Sequence, residues 1–503
     1  MTNRRTPDAA HCAKLQSLLS TKTDTGHLTR IMSVAWLVAI YLLFTMVIGV
    51  AAGSLVQGAR DFFTASRRLP LLLSSFALFA LWFGSETLFG ASAEFLSHGL
   101  LGVIEDPFGG FLCLVLFALL LVRPLYRRNL LTLGDLFRSG YGPHTETLAA
   151  FCMILTFVGY SAGQLIALSL LFANVFGLEP EPGLLLGALI VTLYTVSGGL
   201  WAVSLTDFVQ SIVIIGGLLA VCVSLGAQAD LAALRTPPAP YYFDFLPSAA
   251  NGLRWSDYLA AWLTLGLGSL ASQDIFQRAN AARSEDIAVY STLLGAVLYL
   301  LCAMLPLFLA LLVHQLQPQL LAEGDRQAVL IKLVQLQAPI WLQGLFFGAL
   351  ISAVFSTCSG ALLAPASIMA ENLVKPLFLK HSDDAALLPV VRSCVVVMAL
   401  LAVALSFSGS SIYELVAASS MLGAVSILVP MLFALFDWPR SPLGAWLSML
   451  GGLGTYAVCE YASWVSLPPL FGGLAASLVG MALGLWLRPV TPVARFPAAG
   501  APP

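Results

Sequence analysis

The stretch WLQGLFFGALISAVFSTCSGALLAPASIMAENL, residues 341–373, carries no charge before Glu371. A membrane-spanning helix needs about 20 apolar residues, and this segment supplies them, yet its middle holds Ser352, Ser356, Thr357 and Ser359. On a helix Ser352, Ser356 and Ser359 fall on one face at i, i+4 and i+7, with Thr357 beside them. Hydroxyls gain nothing from lipid, so the seam must face other helices or a cavity. Two uses fit it. Small and hydroxylated residues are common where membrane helices pack. A dehydrated monovalent cation, for its part, needs several oxygens around it. Ser356, Thr357 and the carbonyl of Ala353 would supply three, and a broken helix elsewhere the rest.

The whole chain shares this character. Of its 503 residues 59% are hydrophobic and 10% charged, against about 25% charged in soluble domains. This is the composition of an all-α polytopic membrane protein embedded in a lipid bilayer. A net charge of −2 with no basic block argues against nucleic acid as a partner. The eight cysteines are scattered, with no CxxC pair and no disulfide framework.

Thirteen apolar runs are long enough to cross: 31–56, 71–97, 107–125, 147–175, 183–197, 203–225, 255–276, 286–314, 337–372, 387–408, 411–436, 442–463 and 467–487. A Pro/Ala-rich tail (488–503) follows the last run and is expected to be disordered. Residues 1–31 are polar and lack the apolar core of a signal peptide, so Met32 is the expected start. Placing the loops after odd-numbered spans on one side collects fifteen Lys and Arg there, Arg278 among them, against Arg235, Arg254, Arg326 and Lys332 opposite. The positive-inside rule then puts the N-terminus outside and the C-terminus in the cytoplasm.

Spans two and seven, five spans apart, share an interruption. Span two contains LWFGSETLFGAS, with Gly84, Gly90 and Glu86, and span seven contains LTLGLGSLASQD, with Gly266 and Gly268. Matching Gly-interrupted segments in two halves point to an inverted-repeat transporter with its site at the bilayer midplane, although Gly is frequent in membrane helices generally. Ionisable residues inside spans are expensive and mark function. Glu86 lies in the first break, Asp207 just inside the cytoplasmic end of span six, and Glu105 and Asp106 open span three. Asp207 also suits a helix N-terminus, where an acid complements the dipole, and Glu105 and Asp106 a wetted loop edge. Gln164 in GYSAGQLIA offers a hydrogen bond within span four.

The run YTVSGGLWAV (194–203), followed by Thr206-Asp207 and Gln210, resembles the signature of the sodium:solute symporter family, which includes bacterial proline and galactose symporters and animal glucose symporters. DFFTASRRLP (61–70), QDIFQRA (273–279) and IYELVAASSMLGAVSILVP (412–430) agree with it in order, so the likeness covers about residues 33–440. It implies a peripheral first span (32–60), two inverted five-helix repeats (71–226 and 255–437) whose first and sixth core helices are discontinuous, and two further peripheral spans (442–487). It also implies a main sodium site formed by carbonyls of Ala80 and Phe83 with the carbonyl of Ala353 and the hydroxyls of Ser356 and Thr357, the trio that the seam suggested. A second sodium site, or an exit path, would use Asp207, Ser356 and Ser359, but a further hydroxyl position of that site is Gly360 here. Substrate and gate positions fall on Trp82, Glu86, Asp106, Gln164, Ser272 and Gln273. Trp82 stands where proline and galactose members carry Asp or Asn, so neither substrate is inherited.

The function expected is therefore sodium-coupled import, by alternating access, of a small organic solute bearing an amino or quaternary group. Glu86, Glu105 and Asp106 crowd the approach, and no Lys or Arg lies in the breaks. Na+ is the coupling ion and no other cofactor is called for. A solute sensor acting with a separate signalling chain, proton coupling through Glu86 or Asp207, and homo-oligomerisation stay open. Without HExxH, GxSxG or paired metal ligands in a span, an enzyme is not expected. A bacterial inner membrane is the expected location.

Overall fold

The computed structural model describes residues 33–49, 51, 53, 58–236, 238–322, 326–379, 384–461 and 467–488. The readings of residues 1–31 as a leader and of 489–503 as disordered lie outside these.

Helix dominates because long apolar segments must satisfy every backbone N–H and C=O internally. Eight helices among the described residues are long and apolar enough to cross a membrane, and with shorter ones they make up fourteen principal segments. They are α1 (Ser33–Gly49), α2 (Leu71–Trp82 continuing at 86–98), α3 (104–127), α4 (Leu133–Tyr141, short), α5 (Pro143–Phe176), α6 (180–198), α7 (200–226), α8 (255–271 continuing at Gln273–Asn280), α9 (Glu285–Leu316), α10 (Ile340–Phe378), α11 (Asp384–Ser406), α12 (Ile412–Leu435), α13 (Pro442–Tyr461) and α14 (Pro469–Leu487). Gly199, at φ 53° and ψ −154°, separates α6 from α7. Two five-helix units, α2 to α7 without α4 and α8 to α12, each open on a broken helix. Helices α13 and α14 pack on each other and on α12.

The serine-bearing helix α10 is central: 94% of its most apolar stretch is buried, and it packs on α7, α5, α2 and α11. Its seam is thus enclosed by protein.

The first break falls beside its glycine as read, and the second does not. In α2 the chain leaves helical geometry at Phe83 (φ −86°, ψ 70°), beside Gly84. A side chain on Gly84 would lie 2.8 Å from the Glu86 carboxylate and 2.9 Å from the Thr357 hydroxyl, so glycine is what lets the break approach α10. In α8 the helix runs through Gly266 and Gly268 and breaks at Ser272 (φ −86°, ψ 132°). Those glycines serve packing instead: Gly266 faces Leu112 of α3, and a Cβ on Gly268 would be 2.5 Å from the Ser420 carbonyl of α12.

Candidate functional site

At the first break α10 meets α2. Thr357 donates its hydroxyl to the carbonyl of Ala80 at 3.1 Å, which puts two of the expected sodium ligands, from different helices, at one point. Ser356, next in the chain, donates to Oδ1 of Asp207 on α7. Ala353 lies one turn before them, fully buried. The donor set at this junction is all oxygen, the chemistry that a hard cation requires. Ser359 turns its hydroxyl to the Ser356 carbonyl at 2.8 Å, away from Asp207. Ser352, on the same face, hydrogen-bonds to Tyr41 of the peripheral helix α1 and to the Gly348 carbonyl.

Asp207 is no solvated helix-end acid. It is fully buried, and its Oδ2 faces the guanidinium of Arg278 at 3.4 Å. Arg278, counted above with the cytoplasmic loop charges, belongs to the second half of α8 and is 1% exposed, which leaves fourteen basic residues on that side.

Beyond the break lies a cavity lined from α2, α3, α5, α8 and α12. Its polar and aromatic walls include Trp82, Glu86, Asp106, Phe157, Tyr160, Ser272 and Asp274, and among the described residues no Lys or Arg lines it. Glu86 is held from α5: Gln164 donates to its Oε2 at 2.8 Å and accepts the backbone N–H of Ser85 at 3.1 Å, clamping the carboxyl and the break together. Asp106 is not a wetted loop acid but 1% exposed, taking hydrogen bonds from Thr87 at 3.1 Å and from Tyr299 of α9. Asp274 accepts from Ser272 and from the N–H of Ile275. Trp82 stacks edge-on against Tyr299, and its indole N–H is buried without a protein partner.

Of the residues singled out in the sequence, the cavity thus gathers Trp82, Glu86, Asp106 and Ser272, with Gln164 behind Glu86. Gln273 faces elsewhere. Its Oε1 accepts the N–H of Leu133 at 2.8 Å, joining α8 to α4. That end of the bundle, which bears the Arg-rich loops, is closed. Leu69 exchanges backbone hydrogen bonds with Ala281 and Arg283, Arg67 lies over the Tyr126 ring at 4.3 Å, and Asn372 bridges Thr132, Asp135 and Glu146. Asp274 and Arg278 went unremarked as site residues in the sequence. The signal was there for both, in two charges within QDIFQRAN beside a helix break.

The sequence profile of the Sodium:solute symporter family matches residues 62–452. The chain is 28% identical over 369 residues to the sodium/proline symporter of Escherichia coli, covering 71% of this chain and 72% of that protein. It is 25% identical over 435 residues to the human high affinity choline transporter 1, covering 83% of this chain and 75% of that protein. In structure it resembles a Na+-coupled sialic acid symporter, with a TM-score of 0.77 at 17% identity over 92% of this chain and 99% of that one. MHP1, a nucleobase-cation-symport-1 family transporter, gives a TM-score of 0.56 at 14% identity over 86% of this chain and 96% of that one. The inverted-repeat core expected above accords with these likenesses.

Proposed function

Since the chain belongs to the sodium:solute symporter family, we propose that it imports a small organic solute bearing a positively charged nitrogen, driven by sodium held between α2 and α10. One observation carries the choice of solute: the cavity beside the break presents the carboxyl groups of Glu86, Asp106 and Asp274 with the rings of Trp82, Phe157 and Tyr160, and offers no basic side chain to an anion. Acidic groups among aromatic faces are the surroundings that an ammonium prefers. Proline and choline, named in the two relatives, both carry such a nitrogen. The unpartnered indole N–H of Trp82 suits a hydroxyl or carboxylate on the same solute, because a buried donor left unpaired is costly.

Energetics suit this role. One sodium entering down ~100 mV contributes about 2.3 kcal/mol, and a tenfold gradient adds about 1.4 kcal/mol. Together these support roughly 500-fold accumulation of a zwitterion, and a cationic solute gains the membrane potential a second time.

The test is uptake into proteoliposomes of choline, betaine, proline, a primary amine and a monocarboxylate, with an inward sodium gradient or with potassium in its place at fixed pH. We expect sodium-dependent uptake among the nitrogen cations and zwitterions. Sodium-driven uptake of the monocarboxylate with the amines inert would overturn the solute class, and uptake indifferent to sodium but driven by a pH gradient would replace the coupling ion.

The proposed orientation places the closed, Arg-rich end in the cytoplasm of a bacterial cell's inner membrane. A reporter fused after Arg128 should therefore read cytoplasmic and one after Arg235 periplasmic. A periplasmic reading from a C-terminal fusion contradicts the orientation.

A further inference from the structure

We propose that the guanidinium of Arg278 is a built-in cation filling the place of a second sodium ion beside Asp207, so that each chain takes up one sodium per cycle. The proposal rests on the sodium coupling just argued.

Three observations meet at this point. First, both carboxylate oxygens of Asp207 are engaged, Oδ1 by the Ser356 hydroxyl and Oδ2 by Arg278 at 3.4 Å. Second, the guanidinium lies over Gly360: a Cβ at that position would come within 2.8 Å of Nη2 and 2.9 Å of Nη1. The space into which a Ser or Thr at position 360 would project its oxygen is therefore taken by the arginine. Third, the hydroxyl of Ser359 is spent on the Ser356 carbonyl. An ion arriving here would find no free oxygen shell.

Charge leads to the same conclusion. Asp207 and Arg278 are both buried, at 0% and 1% exposure, and together they are neutral. Sodium entering here would lie against the guanidinium, a like charge, with neither carboxylate oxygen free to ligate it. The arginine also acts on the main site at one remove. Because Ser356 spends its hydrogen on Asp207, its oxygen lone pairs are left for the cation between α2 and α10. Asp207 and Arg278 are thus positioning residues that tie α7, α8 and α10 around one sodium.

The experiment counts sodium. Purified full-length protein is titrated with radioactive sodium alone, and the ions bound per chain and the steepness of the isotherm are read. Wild type should saturate at one with a Hill slope of one. Arg278→Gln combined with Gly360→Ser removes the tethered charge and restores an oxygen, and should saturate at two. Asp207→Asn with Arg278→Gln, neutral throughout, should return to one. Wild type saturating at two overturns the proposal whether or not any variant folds. So does a monodisperse Arg278→Gln/Gly360→Ser protein that still takes only one. Wild type binding none would instead sink the sodium coupling on which the proposal stands.

Discussion

Ser356→Ala and Thr357→Ala should each lower sodium affinity roughly 10- to 150-fold while leaving expression near normal. Each removes one oxygen from a buried cation, and a hydrogen-bonding partner of a buried charge is worth about 1.5–3 kcal/mol, which converts to that range at about 1.4 kcal/mol per tenfold. Alanine is the best helix former, so α10 itself should tolerate either change. The two variants differ in what else they disturb. Thr357→Ala frees the Ala80 carbonyl, whereas Ser356→Ala also deprives Asp207 of a donor and should cost additional stability. Ser352→Ala is the control. Its hydroxyl serves Tyr41 on α1 and the Gly348 carbonyl, so it should cost about 1 kcal/mol of stability and leave sodium dependence unmoved. Half-saturation by sodium, measured for all three, separates a cation site from helix packing. Packing predicts three destabilised proteins with unchanged sodium dependence, and an unshifted half-saturation in both Ser356→Ala and Thr357→Ala would remove the site from α10.

Arg278→Met should be the most damaging single substitution to stability among the residues discussed. Removing one member of a buried ion pair leaves the other charge uncompensated and costs about 3–5 kcal/mol. Adding Asp207→Asn should recover most of that loss, since replacing both partners by groups of similar shape is often close to neutral. Thermal unfolding in detergent without sodium measures both. A single variant as stable as wild type would mean that the 3.4 Å approach carries no pairing energy, and a double variant no better than the single would mean that Arg278 contributes packing alone.

Much of this molecule was legible without coordinates because a bilayer leaves the chain few choices. Backbone groups in hydrocarbon must pair within a helix, so the apolar runs became helices, eight of which among the described residues are long and apolar enough to cross a membrane. The helical period then fixed which side chains share a face, which is why Ser352, Ser356 and Ser359 could be read as one seam of α10 with Thr357 beside it. The run ending in Thr206-Asp207 likewise placed a buried acid before any neighbour of it was known.

Tertiary structure decided whatever depends on reach between helices. Asp207 and Arg278 stand 71 positions apart, and only the crossing of α7 with the second half of α8 turns an apparent loop cation into a buried partner. Gln164 clamps Glu86 from another helix. Gln273 and Asp274 are adjacent in sequence yet serve the closed end and the cavity respectively, because successive residues on a helix project about 100° apart. The break in α8 fell at Ser272 rather than at the glycines before it, since Gly266 and Gly268 were needed for close contact with α3 and α12. Periodicity along one helix is a local property that residue order determines, whereas the partner of each face is set by how neighbouring helices pack, and no single segment carries that information.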